Sequence, residues 1–347
     1  MASVIVVANR ARAEVTFALA APAEEKSAAR SFTLASGEVS PILIAGPVQL
    51  TYTSADEKKS FRVVPHGMYY FSEPRGGQLE LGQIGLSMPE VSLKGHLIAE
   101  KIPVEHATTA TPRLVIPVKI LYDHIEVTTP KAWEKRIRAR FDEANRILKK
   151  HCFVEFEIKA VESWHSDGSH DSLEQLLGDF EQKVDPGTAR VAIGFTARHR
   201  PDFRDPHMGG TRGPLHTHLV LREHVNQNSE AERLEILVHE LGHFLGAVHS
   251  PESSSVMRPI LGDRQARAAR FHIAFDPLNT LAMCLVSEEL SSNPRVKLAE
   301  MPPFTRVELF RVYLELARAV PKDPTAVRYM NRLGLELRQV PAADPAP

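Results

Sequence analysis

The chain has 347 residues, with 42 basic and 43 acidic side chains and a net charge of -1 at pH 7. This length allows two or three domains, while the balanced charge offers no basic stripe for nucleic acid or an anionic membrane, so we expect neither partner. No apolar run approaches the roughly 20 residues of a membrane span, and two cysteines, Cys152 and Cys284, cannot form a disulfide framework.

Residues 1–107 consist of short runs of alternating apolar and polar residues, separated by glycine and proline. Such short strands without a helical period predict an all-β, sandwich-like domain, whose role the sequence does not reveal. The apolar residues near the N-terminus are interrupted by Arg10, Arg12 and Glu14. We therefore expect paired strands there rather than a secretory signal.

A linker is predicted over residues 108–112, which are small or polar and end in proline. After it the hydrophobic period changes, and strands alternate with helices. The predicted strands are 114–122, 153–161, 191–196 and 216–222, and the predicted helices are 130–150, 172–184, 229–246 and 277–290. This alternation favours an open, mixed sheet with helices packed on it, and thus an α+β fold for residues 113–290.

Residues 291–347 predict a helical C-terminal extension. Apolar residues recur at helical spacing over 308–320 and 327–337. The last residues, 340–347, should be frayed.

A metal-binding pattern lies in residues 239–250, which read HELGHFLGAVHS. His239 and His243 are four residues apart, so both imidazoles leave one face of a helix. Gly246 can take a positive φ, end the helix and turn the chain so that His249 reaches the same ion. Three histidines leave the fourth position of a tetrahedral zinc ion to water, which is typical of a catalytic site.

Glu240 directly follows the first histidine and can reach this water without binding the metal. It is therefore the candidate general base, and afterwards the acid that protonates a leaving amine. The competing hypothesis is a binding or adhesion protein in which the β-domain acts and the zinc domain is a non-catalytic scaffold. The intact Glu240 argues against that alternative, because a scaffold could lose this carboxylate and keep its metal.

The HExxHxxGxxH pattern resembles the metzincin clan of zinc endopeptidases, and the following Ser250 is similar to its matrixin branch. The resemblance extends over residues 113–290. It implies a zincin-like catalytic domain with a twisted mixed sheet, a zinc cofactor and a polypeptide substrate. It also implies that Met257, eight residues past His249, lies in a tight turn below the imidazoles without binding the metal.

The resemblance further implies how a substrate would bind. Strand 216–222 would be the edge strand above the cleft and pair with an extended peptide, with Gly209 and Gly210 giving freedom to the preceding loop. Residues 259–262 would form a pocket wall, although position 261 is leucine where many matrixins have tyrosine. The candidate substrate contacts are His216, Leu219, Leu221, Pro259 and Leu261.

Other features depart from the matrixin pattern or leave alternatives open. No cysteine precedes Cys152, so the N-terminal domain lacks the cysteine that keeps many matrixins latent. A second, structural metal could involve His165, Asp167, His170 and Asp171, or His216 with His218, but we favour solvated polar groups at these positions. Location stays open between extracellular, by resemblance, and cytoplasmic, because no convincing signal is present; the oligomeric state and the latency mechanism stay open too.

Overall fold

The computed structural model describes most of the chain, and every statement below refers to these residues. They are 3–21, 29–74, 77–87, 91–93, 96–97, 114–124, 129–166, 172–197, 208–223, 229–261, 263–268 and 271–337. The predicted linker 108–112 and the predicted frayed end 340–347 lie outside the described residues, as do Asp167, His170 and Asp171 of the proposed loop cluster.

The N-terminal part is built from strands, as predicted. They are β1 (Ser3–Asn9), β2 (Val15–Ala20), β3 (Arg30–Leu34), β4 (Val39–Ile44), β5 (Val48–Ser54), β6 (Glu57–Val63), β7 (Met68–Ser72), β8 (Glu80–Ile84), β9 (Val91–Leu93) and β10 (His96–Leu97). The first eight form two four-stranded sheets, in the orders β4-β1-β7-β8 and β3-β2-β5-β6. Side chains from both sheets share one core, which makes this region a sandwich.

Strand β1 is buried on both faces. Ile5 and Val7 point into the sandwich core, whereas Val4 and Val6 belong to the core of the following part of the chain. This explains why the strand reads as a continuous apolar run rather than an alternating one. The sandwich is therefore packed directly against the rest of the protein.

The central part contains a five-stranded sheet with helices on both faces. Its elements are β11 (Leu114–Asp123), α1 (Pro130–Cys152), β12 (Val154–Trp164), α2 (Leu173–Lys183), β13 (Val191–Thr196), β14 (Gly209–Thr211), β15 (His218–Arg222), α3 (Glu230–Phe244) and α4 (Pro277–Ser292). Helices α1, α3 and α4 share the larger core, and α2 packs on the opposite face of the sheet. Among the described helices, none is long and apolar enough to cross a bilayer.

The strand order corrects one expectation about the cleft. The order is β12-β11-β13-β15-β14, in which β14 is antiparallel and the other strands run parallel. Strand β15 therefore lies between β13 and β14, and the prediction that residues 216–222 form the edge strand is wrong. All five residues of β15 are buried, with Leu219 and Leu221 in the larger core and Val220 in the core on the opposite face of the sheet. Gly209 and Gly210 belong to the edge strand itself.

The C-terminal part forms two helices, α5 (Pro303–Ala319) and α6 (Thr325–Arg332), followed by β16 (Glu336–Leu337). Helix α5 begins earlier than predicted, with proline at its first position. The predicted helix over 327–337 is wrong at its end, because Gly334 adopts φ 64° and the chain continues into β16, which pairs with β9. Both helices bury side chains in the large core, including Leu309, Tyr313 and Tyr329.

Candidate metal centre and cleft

Helix α3 carries the first two histidines in its last turns. It begins with a capping box, in which Ser229 Oγ accepts from the Glu232 N–H and the Glu232 side chain accepts from the Ser229 N–H. The helix ends at Phe244, and Gly246 adopts φ 92°. A Cβ at Gly246 would lie 2.8 Å from Val286 Cγ2, so the turn leaves no room for a side chain.

This turn brings the three predicted histidines together. Possible ligand atoms of His239, His243 and His249 all lie within 4.8 Å of one another. The ring centroids are 4.6 Å apart for His239 and His243, and 5.0 Å apart for His243 and His249. Within the described part of the chain, this is the only group of three or more His, Cys, Asp or Glu side chains that could hold one metal ion.

Each imidazole is oriented by a hydrogen bond at Nδ1. The partners are the carbonyl of Val256 at 2.8 Å for His239 and the carbonyl of Ala247 at 2.9 Å for His243. His249 instead pairs with Oδ2 of Asp323 at 2.5 Å. A ring held at Nδ1 in this way coordinates a metal through Nε2. Three convergent imidazoles with these outer partners fit Zn²⁺, and His239, His243 and His249 are the residues that could hold it.

Burial controls the ionisation of these groups. It lowers the pKa of His243 well below its usual value, helped by the charges of the other two histidines, so this ring is neutral as a metal ligand must be. Burial alone would raise the pKa of Asp323, but the hydrogen bond and charge of His249 outweigh it and lower that pKa. Asp323 is therefore a carboxylate that accepts a hydrogen bond from the Nδ1–H of His249.

Glu240 lies in the same cavity and is 5% exposed. Burial raises its pKa to about 8, and a cation at the three histidines would oppose this shift. The backbone of Gly209, on β14, approaches the carboxylate so closely that a Cβ there would lie 2.6 Å from Glu240 Oε1. Glycine at this position thus lets the edge strand pass directly beside Glu240.

Met257 is fully buried beneath α3, where its Sδ would lie 2.9 Å from a Cβ built at Gly242. The turn around it is fixed on both sides: the Ser250 N–H donates to the Met257 carbonyl at 2.9 Å, and Ser255 Oγ donates to Asp276 at 2.8 Å. The same turn supplies the Val256 carbonyl that orients His239. Met257 thus lies in a buried turn packed against Gly242 of helix α3.

The three histidines open into a cavity of about 680 Å³. Four parts of the chain line it: the start of α2, the edge strand β14 with Arg212, helix α3 with His249 in the segment after it, and helix α6 with the residues before it. The lining residues contributed by this last part are Asp323, Pro324, Thr325, Arg328, Tyr329 and Arg332. The C-terminal extension is therefore a wall of the cleft.

The predicted substrate contacts lie elsewhere. Leu219 and Leu221 are buried in the core behind β14, and His216 precedes β15, with Nδ1 3.8 Å from Glu181. Pro259 is exposed and Leu261 partly buried. Within the described part of the chain, none of these five residues lines the cavity that contains the histidines.

The alternative metal positions gain no support from the described residues. Both ring nitrogens of His218 have partners, since Nε2 pairs with the Val184 carbonyl at 2.8 Å and Nδ1 with Thr217 Oγ1 at 3.0 Å. His165 stacks on His124 with ring centroids 4.2 Å apart.

Sequence reasoning missed the contribution of α6. An Asp-Pro pair stands at the start of both helices, Asp323-Pro324 at α6 and Asp276-Pro277 at α4, and the pair was a readable sign that a helix starts there. Nothing local shows where the helix packs, because Asp323 and His249 are 74 positions apart. Tyr329 was missed for the same reason; its hydroxyl lies 3.5 Å from the His243 carbonyl.

Residues 123–279 match the sequence model of the matrixin family, Peptidase_M10. This part of the chain is therefore similar in sequence to a matrixin domain, and we refer to it as the matrixin-like domain. The match confirms the resemblance drawn from the histidine motif, and the α+β fold preceded by a β-rich region is confirmed as well.

Solved structures show more distant likeness. A crystal structure of archaemetzincin from Methanopyrus kandleri aligns with 13% identity and a TM-score of 0.34, over 55% of this chain and 100% of that one. The structure of a chaperone–substrate complex aligns with 9% identity and a TM-score of 0.38, over 65% of this chain. The present chain spans 41% of the length of that second protein.

Proposed function

We propose that this protein is a zinc-dependent endopeptidase. The observation that carries the proposal is the convergence of His239, His243 and His249, each with Nδ1 held by an outer partner, beside the carboxylate of Glu240. The matrixin-like domain supports the same conclusion.

The residues of the cleft divide the chemistry between them. Zinc held by the three histidines would polarise the peptide carbonyl and make water acidic enough to lose a proton near neutral pH. Glu240 accepts that proton from the attacking water at a carboxylate oxygen. It then donates the proton to the nitrogen of the leaving amine, and the carboxylate is restored for the next turnover.

Strand β14 is the element that would position the substrate. It pairs on one side with β15, and among the described residues it is the last strand of the sheet. Gly209, Gly210 and Thr211 line the cavity, so an extended peptide can add to this edge by backbone hydrogen bonds. Glycine at both positions lets the strand lie close to its neighbours in the cleft, since a Cβ would be 2.6 Å from Glu240 Oε1 at Gly209 and 3.0 Å from Leu173 Cδ2 at Gly210.

The substitution Glu240→Gln tests the proposal. We expect the variant to retain about one zinc ion per chain and to lose peptide cleavage by at least ~100-fold, because the general base is removed and the ligands are not. Zinc content is measured by elemental analysis, and cleavage with a peptide library in the presence and absence of a chelator.

The matched control is Glu157→Gln, which makes the same change at an exposed position of β12. It should leave both zinc content and cleavage unchanged. Equal cleavage by wild type and Glu240→Gln would contradict the assigned base. Zinc-loaded wild type that cleaves no member of the library would favour the alternative of a non-catalytic scaffold.

A further inference from the structure

Two arginines of α6 face the cleft. Arg328 and Arg332 both line the cavity that contains the three histidines and Glu240. They are four residues apart, so they project from one face of the helix. Both are exposed, and their guanidinium groups are thus accessible to a substrate in the cleft.

The other charges of the cavity are largely matched. In the same cavity, Arg212 forms ion pairs with Glu174 and Glu181, each at 3.1 Å. On the α6 side, Asp323 pairs with His249 at 2.5 Å. These acidic groups therefore already have basic partners.

Among the residues that the structure describes, the two α6 arginines have no such partner. Arg328 donates to the hydroxyl of Thr325 at 3.3 Å, and in the described part of the chain no carboxylate forms an ion pair with Arg328 or Arg332. The α6 side of the cleft consequently carries two unmatched positive charges close to the candidate metal ligands.

Packing fixes the place of these charges. Helix α6 is anchored by Tyr329 and Leu333, which are 3% and 0% exposed. The guanidinium of Arg332 lies over Gly213, where a Cβ would be 2.3 Å from Nη1. Glycine at position 213 leaves the space that this guanidinium occupies, so Arg332 packs against the segment after β14 while it lines the cavity.

We propose that Arg328 and Arg332 form a subsite for a carboxylate of the peptide substrate. Guanidinium groups bind carboxylates with charge-assisted, often bidentate hydrogen bonds. The carboxylate could belong to an acidic side chain near the scissile bond or to the C-terminus of the peptide. The proposal rests on the proposed function in that it takes a polypeptide as the substrate.

Matched peptides test the subsite. Each peptide carries acetyl and amide ends and differs from its partner only by Asp or Asn at one scanned position. At one or more positions, we expect the Asp peptide to be cleaved with a kcat/KM about tenfold higher or more, the scale of one charge-assisted contact. In the double variant Arg328→Gln/Arg332→Gln this ratio should fall to about one.

A second pair of peptides distinguishes the two sources of the carboxylate. It differs only in a free or an amidated C-terminus and contains no acidic side chain. A preference for the free acid that depends on Arg328 and Arg332 assigns the subsite to the chain terminus; a preference for Asp alone assigns it to a side chain. The control double variant Arg138→Gln/Arg146→Gln makes the same charge change on exposed positions of α1 and should keep the wild-type ratios.

Binding is measured independently of cleavage. The zinc-loaded Glu240→Gln protein, with and without the α6 substitutions, is titrated with fluorescent versions of the same peptides, and anisotropy gives the Kd ratio of Asp to Asn. If binding shows a preference for Asp that depends on Arg328 and Arg332, but the wild type cleaves no peptide, the endopeptidase function is contradicted and the subsite is supported. Equal affinities and equal rates for all pairs, or a preference that persists in the α6 double variant, would overturn the subsite.

Discussion

Two regions flank the matrixin-like domain, and they differ in how they relate to the site. The N-terminal sandwich packs β1 against the large core, with Val4 and Val6 buried there. The C-terminal helices share that core, but α6 and the residues before it also line the cleft and supply Asp323 to His249. Both regions lie outside residues 123–279. The limits of a family match therefore do not coincide with the limits of the site.

Helix α5 links the N-terminal part of the chain to the turn that carries the histidines. On one side it contacts the segment after β8: Arg311 donates to the Leu86 carbonyl at 3.2 Å, and Glu315 accepts from the Ser87 N–H at 3.2 Å. On the other side the Tyr313 hydroxyl donates to the Gly246 carbonyl at 2.8 Å, next to the histidine turn. Within the described residues, α5 thus contacts both the segment after the sandwich strand β8 and the turn beside the metal-ligand candidates.

The sharpest test of this difference is Asp323→Ala. Loss of a carboxylate that orients a metal-binding imidazole lowers metal affinity by about 10-fold to 100-fold. We expect such a loss when zinc binding is measured by competition with a chromogenic chelator. Asp142→Ala, at an exposed position of α1, should bind zinc like the wild type. An unchanged zinc affinity in Asp323→Ala would show that the segment before α6 does not contribute to the metal centre.

Acid should destabilise the large core that the sandwich and the C-terminal helices share. His151 is 3% exposed, and burial lowers its pKa from 6.5 to about 3 in the folded protein. As the pH falls, the unfolded chain therefore takes up a proton at His151 before the folded protein does. The contribution of the neutral, buried His151 to stability is fully present above pH 6.5 and is lost as the pH falls toward 3. At pH 5 the loss from this residue is about 2 kcal/mol.

Urea unfolding at pH 7 and pH 5 measures this loss. The variant His151→Gln removes the titrating group, so its stability should fall less between the two pH values than that of the wild type. An equal pH dependence in both proteins would show that His151 is not the group responsible.

Two buried tyrosines provide a matched comparison of the flanks. The hydroxyl of Tyr313 bonds to Gly246, and the hydroxyl of Tyr69, in the sandwich, accepts from the Val64 N–H at 3.0 Å. Removing either hydroxyl as Phe should cost about 1 kcal/mol of unfolding free energy. Only Tyr313→Phe should also weaken zinc binding, because only its partner lies beside the metal ligands. Equal zinc affinities in the two variants would mean that α5 does not hold the histidine turn.

The smallest effect is expected at the exposed contact between the sandwich and the domain. Arg10 and Glu252 form an ion pair at 2.8 Å, with side chains 46% and 36% exposed. Solvent screens such a pair, so Arg10→Ala should change stability by less than about 1 kcal/mol and leave zinc affinity unchanged. A clear drop in zinc affinity would show that the sandwich acts on the site directly.

Local patterns accounted for the features that sequence could predict. The capping box of α3, the four-residue spacing of His239 and His243 and the turn at Gly246 all depend on residues close together in the chain, and the structure contains them. The N-terminal strands were likewise readable from turn residues and alternation. Even the end of α6 had a local sign in Gly334, which the apolar periodicity through Leu337 obscured.

The errors concern partners that are distant in sequence. The apolar residues of β15 predict a strand, but strand order depends on which segments pair, and β14 was too short and glycine-rich to be recognised as the edge. Asp323 was missed because its hydrogen bond with His249 joins the chain across 74 positions. Packing of whole elements determines such contacts, and periodicity carries no information about them.

The bond between His249 and Asp323 also has a consequence for synthesis of the protein. A nascent chain that has reached residue 300 already contains the three histidines and Glu240, but neither Asp323 nor the wall that α6 provides. Until translation reaches α6, the third imidazole lacks the group that orients it. The complete candidate metal centre, with Asp323 beside His249, therefore forms only late in translation, after the sandwich and the central sheet have been made.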